Sequence, residues 1–572
     1  MASVIGRTFA VQLLAEVVGQ ASKRLEEPLA QLQRAEIAFP RRNPDLEYVF
    51  KHVSMRDAAY NTLVQKRRKE LHLRTARGIA ALYPSDEYAE MIAYHYAKTQ
   101  APEAAGWLEK AGDRAADIYA CEQAFGHFQE AAKRYTLQGA DAGVRARLEE
   151  KMGTVLYTAG RYDDALKHLE TSAAIARTEG DLEGAGRVVA RIGTTRRRCG
   201  NPEDGIALVA PTIELLAPCG PSQALAALHV ALAGLFFVVG RYSDALSAAE
   251  RGAQIARAIG SIRLLGEAEE RRGTALSVLG QAEESVTILK EAIPLIEAGG
   301  DLMVLQRALN NVAVACWNLG RWDTATDYEE RALEVAARIG NADLTAFNLT
   351  NLGESRATTG DWTGAREALE RAATLLIGRA GGARSFTLAW LGRLALWEGD
   401  WEEARRLLAE ALEPAGQDES AQVRETLQSF MAEFEVQTGG AEGAVRRLEP
   451  LLAAEAVHEF VPTALGWAVL GTGSVDRAAA LATDTVRHLR QEARGELPEA
   501  LRLLGVALRR QGWEQEGTAA LEEALELAIA LPFPYCEARV LEELGKTGEA
   551  LAIFRRLGAR KDVERIESGP AE

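Results

Sequence analysis

Only five cysteines occur in 572 residues, at positions 121, 199, 219, 316 and 536, and no two share a paired spacing. That excludes a disulfide framework and a cysteine metal site, and it fits a reducing, cytoplasmic compartment. The eight histidines never pair at metal-ligand spacing, and neither a nucleophile elbow nor a His-Glu-x-x-His motif occurs. A phosphate loop is also missing. Gly545-Lys546-Thr547 ends like one, but Val540 stands where its first glycine belongs. The chain is therefore expected to be no enzyme and to use no cofactor or metal. The longest apolar run, Ala224 to Val239, carries His229 and is too short to span a bilayer comfortably. Glu16 interrupts the opening apolar stretch and no basic start precedes it, so no signal peptide is expected. No linker rich in proline, glycine and serine breaks residues 90 to 566, which favours a continuous stack.

What the chain has is a clock. Gly160, Gly200, Gly240, Gly280, Gly320 and Gly360 stand forty residues apart, and Gly399, Gly439, Gly473, Gly512 and Gly545 continue the count. Seven residues before each of these glycines is a small residue, from Gly153 to Ala538. Five residues after each is another, from Ala165 to Ala550. Small side chains let two helix backbones approach, and glycine suits the tight turn between them. Around Gly320, Leu309, Val312, Ala313 and Cys316 recur at helical spacing, and so do Ala325, Tyr328, Ala332, Val335 and Ala336. Each unit reads as helix, glycine turn, antiparallel helix. Aromatics after the turn (Tyr162, Tyr242, Trp322, Trp362, Trp401 and Trp513) read as wedges between helices. Gly112, Tyr119 and Ala124 mark an earlier, degenerate unit in the same frame.

This pattern resembles the tetratricopeptide repeat family over roughly residues 90 to 566, with a period of forty in place of the usual thirty-four. The spacing shortens to thirty-four between Gly439 and Gly473 and to thirty-three between Gly512 and Gly545. The segment from Ala332 through Arg338 to Asn341 and on to Phe347–Gly353 is similar to the long-period repeats of bacterial signal-transduction ATPases and cell-polarity scaffolds. The resemblance implies an all-α, right-handed superhelix of about twelve repeats. It also implies a concave groove, lined by first helices, that takes a protein or peptide. Asn311 and Asn351 both lie nine residues before a turn glycine, where an amide in similar scaffolds bonds an extended peptide. Equivalent positions are mixed: Lys151, Arg191, Ala231, Arg271, Trp390 and Phe430. Arg197, in the basic cluster Arg196 to Arg198, is a further groove candidate for an acidic peptide.

The first ninety residues fall outside the clock. Helical patterns over about 8–18 and 22–35 precede two short extended pieces about an Asn-Pro-Asp turn, and helices near 55–63 and 66–82 follow. This is the outline of a winged helix. Ala2–Phe9, Tyr48–Ser54, Ala58–Tyr60 and Arg67–His72 resemble the winged-helix segment of the same signal-transduction (STAND) ATPases. Those proteins often carry a cyclase before this segment and repeats after it. The resemblance implies domains at 1–88 and 89–566 with a frayed tail at 567–572, and a separate ATPase module as partner. It implies that His52 contacts the phosphate of bound ADP when that module is present. Met1 stands where the ATPase would end, so a split-off sensor half or an internal start is expected.

Charge separates the two parts. Residues 1–100 hold 15 Lys and Arg against 11 Asp and Glu, a surplus of four; the remainder holds 51 against 71, a deficit of twenty. An acidic stack repels nucleic acid and favours protein partners. Lys66 to Lys69, with Arg74 and Arg77, is the one basic helix that could touch DNA, and Glu70 lies within it. The expected function is a non-enzymatic scaffold or sensor. The alternatives are a transcription regulator using the winged helix, and a fragment of a nucleotide-dependent ATPase or cyclase.

Overall fold

In the computed structural model the described residues are 1–43, 45–83, 86–378, 382–413, 421–453, 457–458, 460–492 and 494–568. They form α-helices throughout, apart from three short strands near the N-terminus. The chain divides into two compact units, residues 1–159 with 167–180, and residues 160–166 with 181–572.

The first unit opens with α1 (Ala2–Ile5), β1 (Thr8–Ala10), α2 (Val11–Val18) and α3 (Glu26–Arg34). The hairpin β2 (Ala38–Asn43) and β3 (Asp45–Phe50) follows, then α4 (Val53–Asn61) and α5 (Gln65–Leu82). The sheet order is β1-β3-β2, all antiparallel, with Phe9 opposite Tyr48 and Ala38 opposite Phe50. Where the periodicity predicts one helix from Thr8 to Val18, the first three residues are a strand. Pairing with Val49, Tyr48 and Glu47 satisfies their backbone and carries Phe9 into the core beside Phe50, ring centroids 5.5 Å apart. Pro44, centre of the expected turn, lies outside the described residues, as do residues 569–572 of the expected tail.

From Ala104 to Leu557 the described residues make twelve antiparallel helix pairs. The expected faces are the buried ones: Leu309, Val312, Ala313 and Cys316 on one helix, Ala325, Ala332, Val335 and Ala336 on the next. The small residues act as anticipated. A Cβ on Gly273 would stand 2.6 Å from Leu289 Cγ, and Ser285 Oγ donates to the Gly273 carbonyl at 2.7 Å. The same clash recurs between Gly353 and Leu369 and between Gly392 and Leu408. Every clock glycine has a positive φ, and in the degenerate unit Tyr119 itself adopts φ 60°. The backbone geometry there persists without the residue that tolerates it cheaply.

The turns between units have a second glycine series. Gly180, Gly220, Gly260, Gly300 and Gly340 also have positive φ. Asp181, Ser261, Asp301 and Asn341 follow four of them and cap the next helix; the Asp181 carboxylate accepts from the Gly184 N–H at 2.8 Å.

Within the second unit the hairpin edges of the middle repeats meet the later repeats. A Cβ on Gly240 would stand 3.4 Å from the Ala421 methyl, one on Gly360 2.7 Å from Pro534 Cγ, and one on Gly399 2.8 Å from the Lys561 nitrogen. The Gly495 N–H donates to the Asn318 carbonyl at 3.2 Å. Trp322 and Trp362 are buried as wedges, each indole N–H donating to a carbonyl five residues back (Trp317 at 3.3 Å, Ala357 at 3.0 Å). Their rings also meet Phe533 and Tyr535 edge-on, at 5.9 and 5.6 Å. Trp513 differs: at 57% exposure it wedges nothing.

Candidate functional site

The first helices of the second unit hold two linked arrangements. The first is a polar ladder. Glu270, on Ile262–Val278, is fully buried; its Oε1 accepts from Asn311 Nδ2 at 2.9 Å and Thr274 Oγ1 at 3.1 Å. Its Oε2 lies 2.8 Å from an Arg307 Nη and 3.7 Å from Arg271 Nε. Burial alone would raise this carboxyl, but the charges of Arg307 and Arg271 and the bonds from Arg307 and Thr274 outweigh it and bring the pKa to about 2. Asn311 Nδ2 also donates to Thr274 Oγ1 at 2.6 Å, and Asn351 Nδ2 donates to Asn310 Oδ1 at 2.6 Å. The hydroxyls of Thr350 and Thr387 bond at 2.7 Å one repeat further on.

The second arrangement is a pocket of about 690 Å³. Its walls come from five first helices, Gly382–Glu398, Ala421–Gln437, Phe460–Gly471, Leu497–Arg510 and Pro534–Glu543, with Phe533 at the rim of the last. Arg393 is packed among four aromatic rings, its guanidinium 4.3 Å from the Phe430 centroid, 4.7 Å from Trp397, 5.0 Å from Phe460 and 5.2 Å from Trp390. Its Nε donates to Glu433 Oε2 at 2.9 Å, and Trp397 Nε1 donates to Glu433 Oε1 at 3.1 Å. Arg502 repeats the motif, stacked 4.0 Å from Trp467 and bonded to Glu499 at 2.9 Å. Glu499 is buried, which raises its carboxyl, yet the charges of Arg502 and Arg539 hold it ionised, with a pKa of about 2. Tyr535 donates its hydroxyl to Asp562 at 3.0 Å.

These two arrangements share one frame. The position nine before each turn glycine runs Arg271, Asn311, Asn351, Trp390, Phe430, a line that looks mixed in sequence. In space Arg271 and Asn311 meet at Glu270, Asn351 reaches Asn310, and Trp390 packs edge-on against Phe430 at 4.8 Å. The ladder and the aromatic wall thus occupy the same frame on successive first helices, with Glu270, Asn351, Trp390 and Phe430 all buried.

The other sequence candidates are dispersed. Asn311 spends its amide hydrogens on Glu270 and Thr274, whereas the Asn351 amide oxygen has no partner among the described residues. Arg197 is half-buried near the end of Leu182–Arg198, engaged with neighbouring groups; Arg196 pairs with Asp204 at 3.4 Å. His52 is exposed, between the end of β3 and the first turn of α4, and its side chain does not cap that helix. On α5, Arg67 and Arg74 pair with Glu70 and Arg77 with Glu103, while Arg68 bonds the Leu63 and Asn61 carbonyls. Gly545 is a repeat turn, and Lys546 precedes the helix Thr547–Leu557. No His/Cys/Asp/Glu cluster fit for a metal occurs among the described residues, and no described helix is long and apolar enough to cross a membrane. The pocket escaped sequence reasoning. Its one local signal was the aromatic density of the first helices around Trp390, Trp397, Phe430, Phe460 and Trp467.

The tetratricopeptide repeat family profile matches residues 304–377, the two helix pairs whose packing is described above. Those residues are tetratricopeptide repeats. No curated protein matches the sequence. Among solved structures, the tetratricopeptide-repeat chain is similar to a STAND protein with a tetratricopeptide repeat sensor from Pyrococcus horikoshii (TM-score 0.43, 14% identity) over 72% of this chain and 60% of that one. It thus spans less than two thirds of that protein's length. It is also similar to a Rap protein complexed with competence and sporulation factor (TM-score 0.45, 10% identity, 68% of this chain and 98% of that one). A third likeness is to an APC/C hetero-tetramer (TM-score 0.47, 13% identity, 89% of this chain and 98% of that one). Stacks of this kind are protein-interaction scaffolds, each repeat adding a strip of surface to its neighbours.

Proposed function

We propose that this tetratricopeptide-repeat protein is a non-enzymatic cytoplasmic regulator, the sensor half of a STAND-type signalling ATPase, which binds a protein or peptide along its first helices. The observation that carries this is the row of linked residues in one frame of the first helices, Glu270 with Asn311, Asn310 with Asn351, and Trp390 with Phe430. A surface preformed by the stack costs a partner little ordering of the protein. Asn351, with its unpartnered amide oxygen, accepts a peptide N–H; Asn311, bonded to Glu270, holds the floor beneath it. Arg197 extends the surface toward the N-terminal end of the stack for an acidic segment.

For the N-terminal unit, the strand order β1-β3-β2, with α2 and α3 between β1 and the hairpin, supports a winged-helix reading. His52 stands exposed at the end of β3, where a neighbouring ATPase module could present a nucleotide phosphate. The test is ADP release from a supplied STAND ATPase module mixed with this chain. Wild type is expected to slow release and His52→Ala to lose that effect; equal release in both would end the ATPase assignment. For the first-helix row, the double substitution Asn311→Ala, Asn351→Ala should weaken capture of a bound partner, and unchanged affinity would remove the peptide role.

A further inference from the structure

The pocket at Arg393 and Arg539 has a particular balance of used and unused groups. Its acids are occupied. Glu433 accepts from Arg393 and from Trp397, Glu499 accepts from Arg502, and Glu496 is engaged as well. Its aromatic faces are occupied too, since Trp397, Phe430 and Phe460 hold Arg393, Trp467 holds Arg502, and Tyr535 holds Arg539 at 5.4 Å. A cationic ligand would find neither a free carboxylate nor a free aromatic cage.

The unused groups are donors. The Nη atoms of Arg393 make no hydrogen bond among the described residues. Arg539 makes none either; its nearest acid oxygen is Glu499 Oε1 at 3.7 Å. The Thr463 hydroxyl, on a residue only 6% exposed, and the Trp467 indole N–H are buried without a partner among the described residues. A native structure rarely leaves such groups unmet, because each lost bond costs roughly 1–3 kcal/mol.

Two planar guanidinium forks with an added hydroxyl and indole N–H suit a carboxylate, which takes two parallel bonds from one arginine. Phe533 and the apolar side of Ala464 and Val436 offer the rest of the volume to a compact apolar body. Glu433 takes only the Nε of Arg393, and Glu499 takes its hydrogen bond from Arg502 with Arg539 no nearer than 3.7 Å, so a ligand carboxylate would share these two guanidinium groups with the acids while using their remaining donors.

We infer that this pocket binds a small aromatic or apolar carboxylic acid, held by Arg393, Arg539, Thr463 and Trp467. This goes beyond partner binding along the first helices and involves no ATPase. The same chemistry could be offered by a free acid or by the last residue of a peptide, and the test separates the two.

The full chain is titrated calorimetrically with 3-phenylpropionate, with its uncharged isostere 3-phenylpropanamide, and with a tetrapeptide ending in phenylalanine with a free carboxylate. The acid is expected to bind at least about tenfold more tightly than the amide, the difference being the charge-assisted bonds. Tighter binding of the tetrapeptide would identify a chain terminus as the source, and equal or weaker binding a free acid. Ala464→Trp, which fills the pocket without touching an ion pair, should abolish binding at an unchanged melting temperature. Should that variant not fold, Thr463→Val, equal in shape, should weaken the acid more than the amide, because the bond to the charged acceptor is the stronger. Equal affinity of acid and amide, no binding of the acid at millimolar concentration, or full binding by Ala464→Trp would each overturn the inference.

Discussion

The Nδ1 atoms of His72 and His95 face each other at 2.9 Å in the core of the first unit, both residues 1% exposed. His95 also bonds the Ile5 carbonyl, so its other ring nitrogen is the one that carries hydrogen. That makes His95 Nδ1 an acceptor and His72 Nδ1 the donor. His72 Nε2 in turn accepts from the Tyr60 hydroxyl at 3.0 Å. The relay runs Tyr60 to His72 to His95 to Ile5, and every member is satisfied while both rings are neutral.

A proton added to His95 would go to Nδ1 and set two N–H groups against each other, and one added to His72 would go to Nε2, against the hydrogen of the Tyr60 hydroxyl. Burial, then the charges of Lys98 and Arg68, lowers the His72 pKa to about 4; burial, then His72 itself, lowers His95 to about 3. A histidine whose folded pKa is depressed takes up protons on unfolding. The stability it permits is therefore present above pH 6.5 and declines as pH falls toward 4. Urea unfolding of the first unit, followed by hydrogen exchange at pH 7 and pH 5, should show a loss at pH 5. His72→Gln with His95→Gln should flatten the dependence, and a gain of wild-type stability on acidification would contradict the assigned tautomers.

Glu329 gives the second unit the opposite sensitivity. It is 4% exposed; Ser355 Oγ donates to its Oε1 at 2.8 Å, while its Oε2 has no partner among the described residues. Burial raises its pKa to about 7, so its folded form holds a proton that the unfolded form releases above 4.5. Stability from this group is complete below pH 4.5 and falls as pH rises through 7. Glu329→Gln keeps the Ser355 bond and removes the charge. Melting temperatures at pH 6 and pH 8.5 should converge in the variant, which should melt higher than wild type at pH 8.5. An unchanged pH slope would show that Glu329 is ionised in the native protein.

The clock glycines are not equivalent. Gly439 has φ 86° with nothing within 4 Å of the place a Cβ would take, whereas Gly360 has φ 91° and Pro534 and Leu557 beside it. Gly439→Ala should cost only the left-handed strain, about 1–2 kcal/mol. Gly360→Ala should cost that and an overpacking cost of about 1–3 kcal/mol besides. Denaturant unfolding of both variants checks the order, and equal losses would mean that the contact with Pro534 contributes nothing.

The repeats were legible because their physics is local. A turn needs a positive φ, and two close helices need small residues; both requirements recur within forty residues, as at Gly353, Gly360 and Ala365. The second glycine series was equally visible in Gly180, Gly260, Gly300 and Gly340, each followed by a capping Asp, Ser or Asn. The short strand Thr8–Ala10 was not, because its apolar residues continue the period of the helix behind it and only Val49, Tyr48 and Glu47 make it a strand. Contacts such as Trp322 with Phe533 join residues with no sequence relation. The pocket was hidden for the same reason. Arg393, Phe430, Phe460 and Arg539 lie on four separate helices, and the equivalent position changes from Asn351 to Trp390 between adjacent repeats.

A stack in which each unit touches only its neighbours has no fixed length, and units can be gained or lost as beads on a string. The second unit is not free in this way. Gly240 meets Ala421, Gly360 meets Pro534 and Gly399 meets Lys561, so each later repeat must arrive at an assigned earlier edge. Adding or deleting one repeat between Gly240 and Ala421 would put every subsequent hairpin against the wrong partner and would break up the walls around Arg393. The number of repeats in that stretch is thus a structural constant, as firmly set as the register of a strand in a closed barrel.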